Sequence, residues 1–354
     1  MPYENNRILW SILAVGIGKP GATPTVVHGV QQVGVTTNFN IEPIFELGQL
    51  SPYQNVEDIP NVEITMEKVL DGYPLIYHLA TRGYSSATLA GRSNQKCSIF
   101  MPVYGEVQDS ASGTAIVEMQ ASGMFISSEQ FTIPVEGNIT ESCTFVGNNR
   151  IWKSSGFTMT GTHFDNADVP LSYTSGTGGV QRRQNVVFGT TTDTLDANGQ
   201  VADSACTILP PDVAGISSSG TNNRKVDGNY LCSVQNITVS ANLNRDALYE
   251  LGHKGAYFRP VNFPVEVTCD IEINAKSGDM VNCFENGVND SGINLTNRTI
   301  KVKIKEGTFI DLGTKNKLSN IQFGGANAGG GIGTITYSFT TQNDLTITHP
   351  LDPT

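Results

Sequence analysis

The sequence predicts a mainly β protein: two tandem β-sandwich or small-barrel domains, each with a short flanking helix. Three observations carry this expectation. Charged residues make up only 16% of the 354, and there are 37 glycines, a composition suited to strands and turns and unlike a coiled coil or a charged disordered chain. Apolar and polar residues alternate with period two in several segments. The chain also nearly repeats itself. Residues 30–65, VQQVGVTTNFNIEPIFELGQLSPYQNVEDIPNVEIT, align with 234–268, VQNITVSANLNRDALYELGHKGAYFRPVNFPVEVT, so that Glu46-Leu47-Gly48 falls on Glu250-Leu251-Gly252 and Tyr53 on Tyr257. A period of about half the chain is too long for a solenoid and reads as a duplicated domain. The expected boundaries are 1–155 for the first domain, 156–227 for a linker with surface loops, and 228–354 for the second domain.

The apolar run 8–17, ILWSILAVGI, is too short to cross a bilayer. It reads as a first strand rather than a signal peptide, with no membrane partner implied. Next, Val33, Val35, Phe39 and Ile41 alternate with Gln32, Gly34, Thr36, Asn38 and Asn40. In the second copy Ile237, Val239, Ala241 and Leu243 alternate with small polar residues. A helical turn is expected at 43–47, ending at Gly48 and its counterpart Gly252. The following strands alternate Val62, Ile64 and Met66 with Glu63, Thr65 and Glu67, and Val265, Val267, Cys269 and Ile271 with Glu266, Thr268, Asp270 and Glu272. Their outward faces are acidic in both copies. Asp71-Gly72-Tyr73-Pro74 reads as a capped helix start before LIYHLAT, whereas 277–294 reads as loop with at most one helical turn. Stretch 97–103 matches 299–305, and 131–140 matches 337–346 as closing hairpins. The 156–227 stretch reads as a surface linker with embedded strands, and Gly-rich 324–333 as a flexible loop without a phosphate-loop ending.

Catalytic and metal patterns do not emerge. His28, His78, His163, His253 and His349 lack metal-ligand spacing; His253 is expected to be exposed and His78 structural. Glu63/Glu67 and Asp270/Glu272 share strand faces without forming a cleft, and no G-x-S-x-G frame occurs. Asn289-Asp290-Ser291-Gly292 and Asp227-Gly228-Asn229 fall short of a calcium loop. Arg182-Arg183 reads as a salt-bridging surface pair. The six cysteines, with no C-x-x-C pair, read as free and mostly buried thiols, and no cofactor is expected. Five Asn-x-Ser/Thr sequons, at Asn138, Asn236, Asn289, Asn294 and Asn297, carry no implication in so Asn- and Thr-rich a chain. A net charge of −11 disfavours tight binding of nucleic acid, which needs Lys and Arg on phosphates.

The run F-E-L-G…P-Y…V-E-D-I-P-N-V-E-I-T-M-E-K-V-L-D-G resembles the tail tube proteins of tailed bacteriophages. So do Y-E-L-G-H-K-G-A-Y-F…F-P-V-E-V-T and the later F-T-I-P-V-E-G-N-I-T-E and Y-S-F-T-T-Q-N-D-L-T-I-T-H, the resemblance covering about 30–150 and 230–350. It implies tail-tube-type domains and a structural virion protein, not an enzyme. The subunit would form stacked rings around a conduit for DNA ejection and would be assembled in the host cytoplasm. The implied partners are further copies of itself, a tape-measure protein, tail terminator and baseplate proteins, and a sheath if the tail contracts; DNA passes without specific binding. With two domains per chain, three chains would complete a pseudo-sixfold ring. Glu63, Glu67, Glu266, Asp270 and Glu272 are then expected to face the lumen. The loops holding Gly48, Tyr53, Gly252 and Tyr257 are expected to make ring contacts, with the N-terminal arm 1–25 as a further axial candidate. The competing readings are a pair of immunoglobulin-like domains that bind a glycan or receptor, and a capsid decoration module.

Overall fold

Period-two burial, repeated in nearly every long segment, turns this chain into ladders of antiparallel strands. The computed structural model describes residues 6–83, 87–106, 111, 113–159, 179–189, 208–209, 225–226, 229–230, 234–275, 278–279, 281–285, 295–325 and 330–352. In the first half β1 (Gly16–Gly18), β2 (Thr25–Val26) and β3 (Val30–Asn38) come first. They are followed by β4 (Ile41–Ile44), β5 (Gln54–Glu57), β6 (Asn61–Val69), α1 (Ile76–Ala80) and α2 (Leu89–Arg92). Then come β7 (Cys97–Val103), β8 (Val117–Pro134), β9 (Thr140–Gly147) and β10 (Arg150–Lys153). The second half holds β11 (Val186–Gly189), β12 (Lys225–Val226), β13 (Asn229–Tyr230), β14 (Val234–Asn242) and β15 (Glu266–Asn274). It continues with β16 (Lys301–Ile304), β17 (Phe309–Asp311), β18 (Lys317–Gly324), β19 (Thr334–Gln342) and β20 (Thr346–Thr348).

One run of eight strands crosses the molecule in the order β3-β6-β9-β8-β14-β15-β19-β18. Its first four strands and its last four form arrays with the same internal order: β6 pairs β3 and β9 as β15 pairs β14 and β19, and β8 pairs β9 as β18 pairs β19. Each array has a second layer, β2-β1-β7-β8-β10 in the first half and β11-β16-β17-β20 in the second. The 18-residue β8 serves both layers. Its residues 117–124 pair with β7, and 125–132 with β9. The sheets do not close into a barrel.

The core lies between the layers. Val62, Ile64 and Met66 on β6, and Val267, Cys269, Ile271 and Ile273 on β15, are all buried, while their alternate neighbours face outward. Each such aliphatic side chain contributes roughly 1.5–3 kcal/mol by leaving water. β7 is buried along its whole length.

Several local expectations change. The run 8–17 is not one strand: Trp10–Ile12 form a 3-10 turn and only Gly16–Gly18 pair in the ladder. Ala14 N–H donates to Pro102 O, but proline has no N–H to return the bond, so pairing lapses there. Ile12 and residues 14–18 are buried, whereas 7–10 and 19–23 are exposed, so only the middle of the expected N-terminal arm belongs to the core. Instead of a helical turn over 43–47, residues 43–44 end β4 and a turn at 47–48 follows, and Phe39 and Ile41 are exposed rather than continuing the core face of β3. Asp71 does not cap α1; it accepts from Tyr73 N–H. Ile208, Leu209, Met159 and Phe188, all from 156–227, are buried rather than superficial, and β11 pairs with β16. The expected match of 131–140 with 337–346 shifts register. The β8–β9 turn is answered by the Gly-rich β18–β19 turn, and β19 leads to β20, which pairs with β17.

Candidate functional site: a polar sheet face and two open edges

Opposite the core, the eight-strand run presents one face built from alternate residues. Its first array shows Gln32, Gly34 and Thr36, then Glu63, Thr65 and Glu67, then Ser142 and Thr144, and finally Ser128, Gln130 and Thr132. The second array continues with Thr238 and Ser240, then Glu266, Thr268, Asp270 and Glu272, then Thr336, Ser338 and Thr340, and ends with Lys317, Asn320 and Gln322. Hydroxyls and amides bond among themselves, as in Ser240 Oγ with Thr268 Oγ1 at 2.6 Å and Gln130 Nε2 donating to Thr132 Oγ1 at 3.2 Å. The five carboxylates expected on one face, Glu63, Glu67, Glu266, Asp270 and Glu272, do share it, all exposed or half-buried. Among these ladder positions Lys317 is the sole basic residue. Such a face repels polyanions, and half-buried Val146 and Pro134 add only small apolar patches to it.

The two arrays meet at a seam where β14 residues 236–242 pair one-to-one with β8 residues 134–128. Ile237 is 2% exposed and Ile133 is 5% exposed across it. At the outer ends, β3 pairs only with β6 and β18 only with β19 among the described residues. The equivalent side chains there are uncovered: Val33 and Val35 are half-buried, and Phe323 is 61% exposed. β3 is thus an unfilled version of β14, and β18 an unfilled version of β8.

Two excursions leave the same end of the arrays. The β4–β5 hairpin exposes Phe39, Ile41, Ile44, Phe45, Leu47, Leu50 and Tyr53. Gly48 lies at its tip with φ +95°, a conformation that favours glycine. Its counterpart, residues 244–262, is anchored on the first array. Arg245 Nε donates to Ile126 O at 2.5 Å and its Nη2 to Ser93 O. Arg259 Nη2 donates to Asn148 Oδ1 at 2.7 Å, and Asn148 Nδ2 donates to Ala256 O at 2.8 Å. Phe258 packs edge-on against Phe125, and Lys96 Nζ reaches Tyr257 O at 3.4 Å. Of the loop residues singled out from sequence, Tyr257 gives its backbone carbonyl to an internal contact, and the side chains of both Tyr257 and Tyr53 are exposed.

The other singled-out residues are structural. His253 is exposed and pairs with Glu250 at 2.6 Å, and His28 stacks on Tyr73 at 4.0 Å. His78 and His349 are buried, and burial pushes them down to about 4 and about 3. Arg182 forms no salt bridge among the described residues and donates to Asn138 Oδ1 at 3.0 Å. Cys97, Cys143 and Cys269 are buried free thiols and Cys283 an exposed one. His163, Cys206, Cys232 and the 289–292 candidate lie outside the described residues, as do Asp227 and Gly228.

Sequence reading missed a polar group inside the first array. Glu129, Glu141 and Cys143 are all buried, with ligand-type atoms within 4.8 Å of one another. Cys143 Sγ donates to Glu129 Oε2 at 2.6 Å. Glu141 Oε2 accepts from Ile76 N–H at 2.9 Å and Oε1 from Tyr77 N–H at 2.8 Å, which caps α1 from a neighbouring strand. Burial raises both carboxyls above the usual range; cross-strand Lys68 and the two helix N–H groups temper the rise at Glu141. The available signal was Glu141 and Cys143 falling in step with Phe145 on the core side of an alternating strand.

No protein-family model matches the chain, and no curated protein matches it. Solved structures similar to it include a chain of the PVC extracellular contractile injection system, sheath–tube complex in the extended state. That chain is 11% identical, with 43% of this chain and 95% of that one covered and a TM-score of 0.32. A chain of the anti-feeding prophage tube-terminating cap is 12% identical, covering 42% and 92%, TM-score 0.32. The SPP1 tail tube is 12% identical, covering 55% and 99%, TM-score 0.32. These neighbours are tube-system components of phage tails and related injection machines.

Proposed function

We propose that this chain is a tube-building subunit of a phage-like particle, carrying two copies of one tube domain and closing a ring with three chains. The observation that carries the reading is the contrast between the closed β8–β14 seam and the open β18 and β3 edges. Joining β18 of one copy to β3 of the next repeats the internal seam, covers Phe323, Val33 and Val35, and removes both free edges, which otherwise invite uncontrolled pairing. The polar, acidic face then lines the lumen, where DNA slides past carboxylates without binding. The apolar β4–β5 hairpin, with Gly48 and Tyr53, docks on a neighbouring copy as residues 244–262 dock on the first array. The Gly252 loop contributes to contacts between rings. A tape-measure protein inside, terminator and baseplate proteins at the ends, and a sheath in a contractile particle complete the partner set of such a tube.

Two measurements test this. End-on electron-microscope averages should show hollow six-lobed rings with three chains each. Transferring the seam pairing Ser240–Gln130 and Asn236–Pro134 to the outer edges places Thr36 opposite Asn320 of the next copy. Directly opposed strand residues lie within disulfide reach. The Thr36→Cys, Asn320→Cys double variant should therefore form covalent multimers on oxidation, and each single variant should not. Dispersed monomers without cross-links at high concentration would sink the proposal.

A further inference from the structure

Independently of that reading, we propose that Glu129, Glu141 and Cys143 form a buried site for one divalent transition-metal ion, zinc by its donor set. Zinc accepts one thiolate with carboxylates, at about 2.3 Å for sulfur and about 2.0–2.2 Å for oxygen. Around a tetrahedral ion such bonds place the donors roughly 3.4–3.6 Å apart; the ligand-type atoms of this group all lie within 4.8 Å of one another, so small side-chain rotations would close the shell. The three side chains come from adjacent strands: Glu129 on β8 is directly opposite Cys143 on β9, and Glu141 is two residues along the same face.

A second observation points to a ligand. Glu129 is 1% exposed, yet its Oε1 has no hydrogen-bond partner. An unsatisfied buried carboxylate oxygen is costly, and coordination by both Glu129 oxygens would use it and supply four donor atoms in all. The second array shows that the fold itself does not require polarity here. The corresponding ladder pairs are Leu318 opposite Phe339 and Tyr337 opposite Ile271, where the first array has Glu129 opposite Cys143 and Glu141 opposite Lys68. Without metal, the Cys143 thiol donates to Glu129. On binding, that thiol proton leaves to solvent as the dication enters, and thiolate and carboxylate oxygens take the positions around the ion. The ion would tie β8 to β9 and, through Glu141, to the start of α1.

The test is metal analysis of the full chain, folded in the presence of zinc and then desalted, with far-ultraviolet circular dichroism confirming the fold. About one zinc per chain is expected for the parent and for Cys283→Ser, falling at least about tenfold in Cys143→Ser, because a neutral serine hydroxyl is a far weaker ligand than thiolate. The parent protein reconstituted with cobalt provides a readout that needs no variant at this site. A near-ultraviolet thiolate-to-cobalt charge-transfer band that persists in Cys283→Ser supports the site. Folded parent protein that holds neither zinc nor a charge-transfer cobalt complex overturns it. So does zinc retained in full by folded Cys143→Ser, or zinc lost in Cys283→Ser.

Discussion

The two arrays share a ladder but not an interior. At matching positions the first holds Lys68, Glu129, Glu141 and Cys143, and the second holds Ile271, Leu318, Tyr337 and Phe339. The polar version is the one that carries a helix. Glu141 caps α1, and Lys68 Nζ donates to Pro74 O at 3.0 Å and Tyr73 O at 3.4 Å in the turn before it. In the second half, the described residues of the corresponding stretch hold a 3-10 turn, Cys283–Glu285. Buried charge in a sheet interior thus accompanies an element that lacks caps of its own: Leu75 at the α1 N-cap makes no side-chain bond. The difference teaches that one β framework accepts either an apolar interior or a polar one that holds a helix.

The largest test of this comparison is Glu141→Ala. It frees two helix N–H groups and removes the carboxylate opposite Lys68, which keeps Asp71 at 3.4 Å, so chemical denaturation should show a loss of about 2–5 kcal/mol. A loss below about 1 kcal/mol would break the link between the polar interior and the helix. The contact of α1 with β20 and the chain after it gives the next effect. Burial holds His78 and His349 neutral beside Asp352, Arg92 and Lys68, while the unfolded chain protonates them below about pH 6.5. Stability should therefore fall as pH drops from 6.5 towards 4. Glu306 has the opposite sign. Burial raises it to about 7, so its penalty grows from pH 4.5 to 7 and is full above that, at about 3 kcal/mol. Glu306→Gln should recover much of that at pH 8, and His349→Gln should flatten the acid limb; parallel melting curves at pH 5, 6.5 and 8 would read both.

A smaller effect separates the closed seam from the open edge. Val239 is 1% exposed and Val35, at the same ladder position, is half-buried. Val239→Ala should cost about 2 kcal/mol and Val35→Ala under about 1 kcal/mol in the dispersed chain. The gap should narrow in assembled material. Equal costs in the dispersed chain would mean that β3 is already covered. The smallest effect belongs to the polar face. Replacing Glu63, Glu67, Glu266, Asp270 or Glu272 singly with Lys should change stability by under about 0.5 kcal/mol, while the five together should slow DNA release from assembled particles. Unchanged release would remove these residues from the lumen.

Much of the architecture was legible because it rests on local alternation. The acidic face and the core strands β6, β14 and β15 follow from side-chain period alone. The cap of α1 was illegible because its acceptor, Glu141, is more than sixty residues away in sequence, whereas Asp71 stood at the conventional position. The closing hairpin slipped because similar Thr-rich strands align in more than one register. The burial of Ile208 and Leu209 was hidden by flanking Gly, Pro and Ser. The edge-to-seam correspondence depends on which strands pair, and no single strand's sequence states that.

The β8–β14 seam also has a kinetic meaning. Because it forms within one chain, half of the joints in a six-domain ring would close at the high effective concentration of tethered partners and not by encounter in solution. Growth would then proceed in steps of two domains. A ring could not stall with an odd number of domains, and fewer transient intermediates would expose a raw strand edge while waiting for a neighbour.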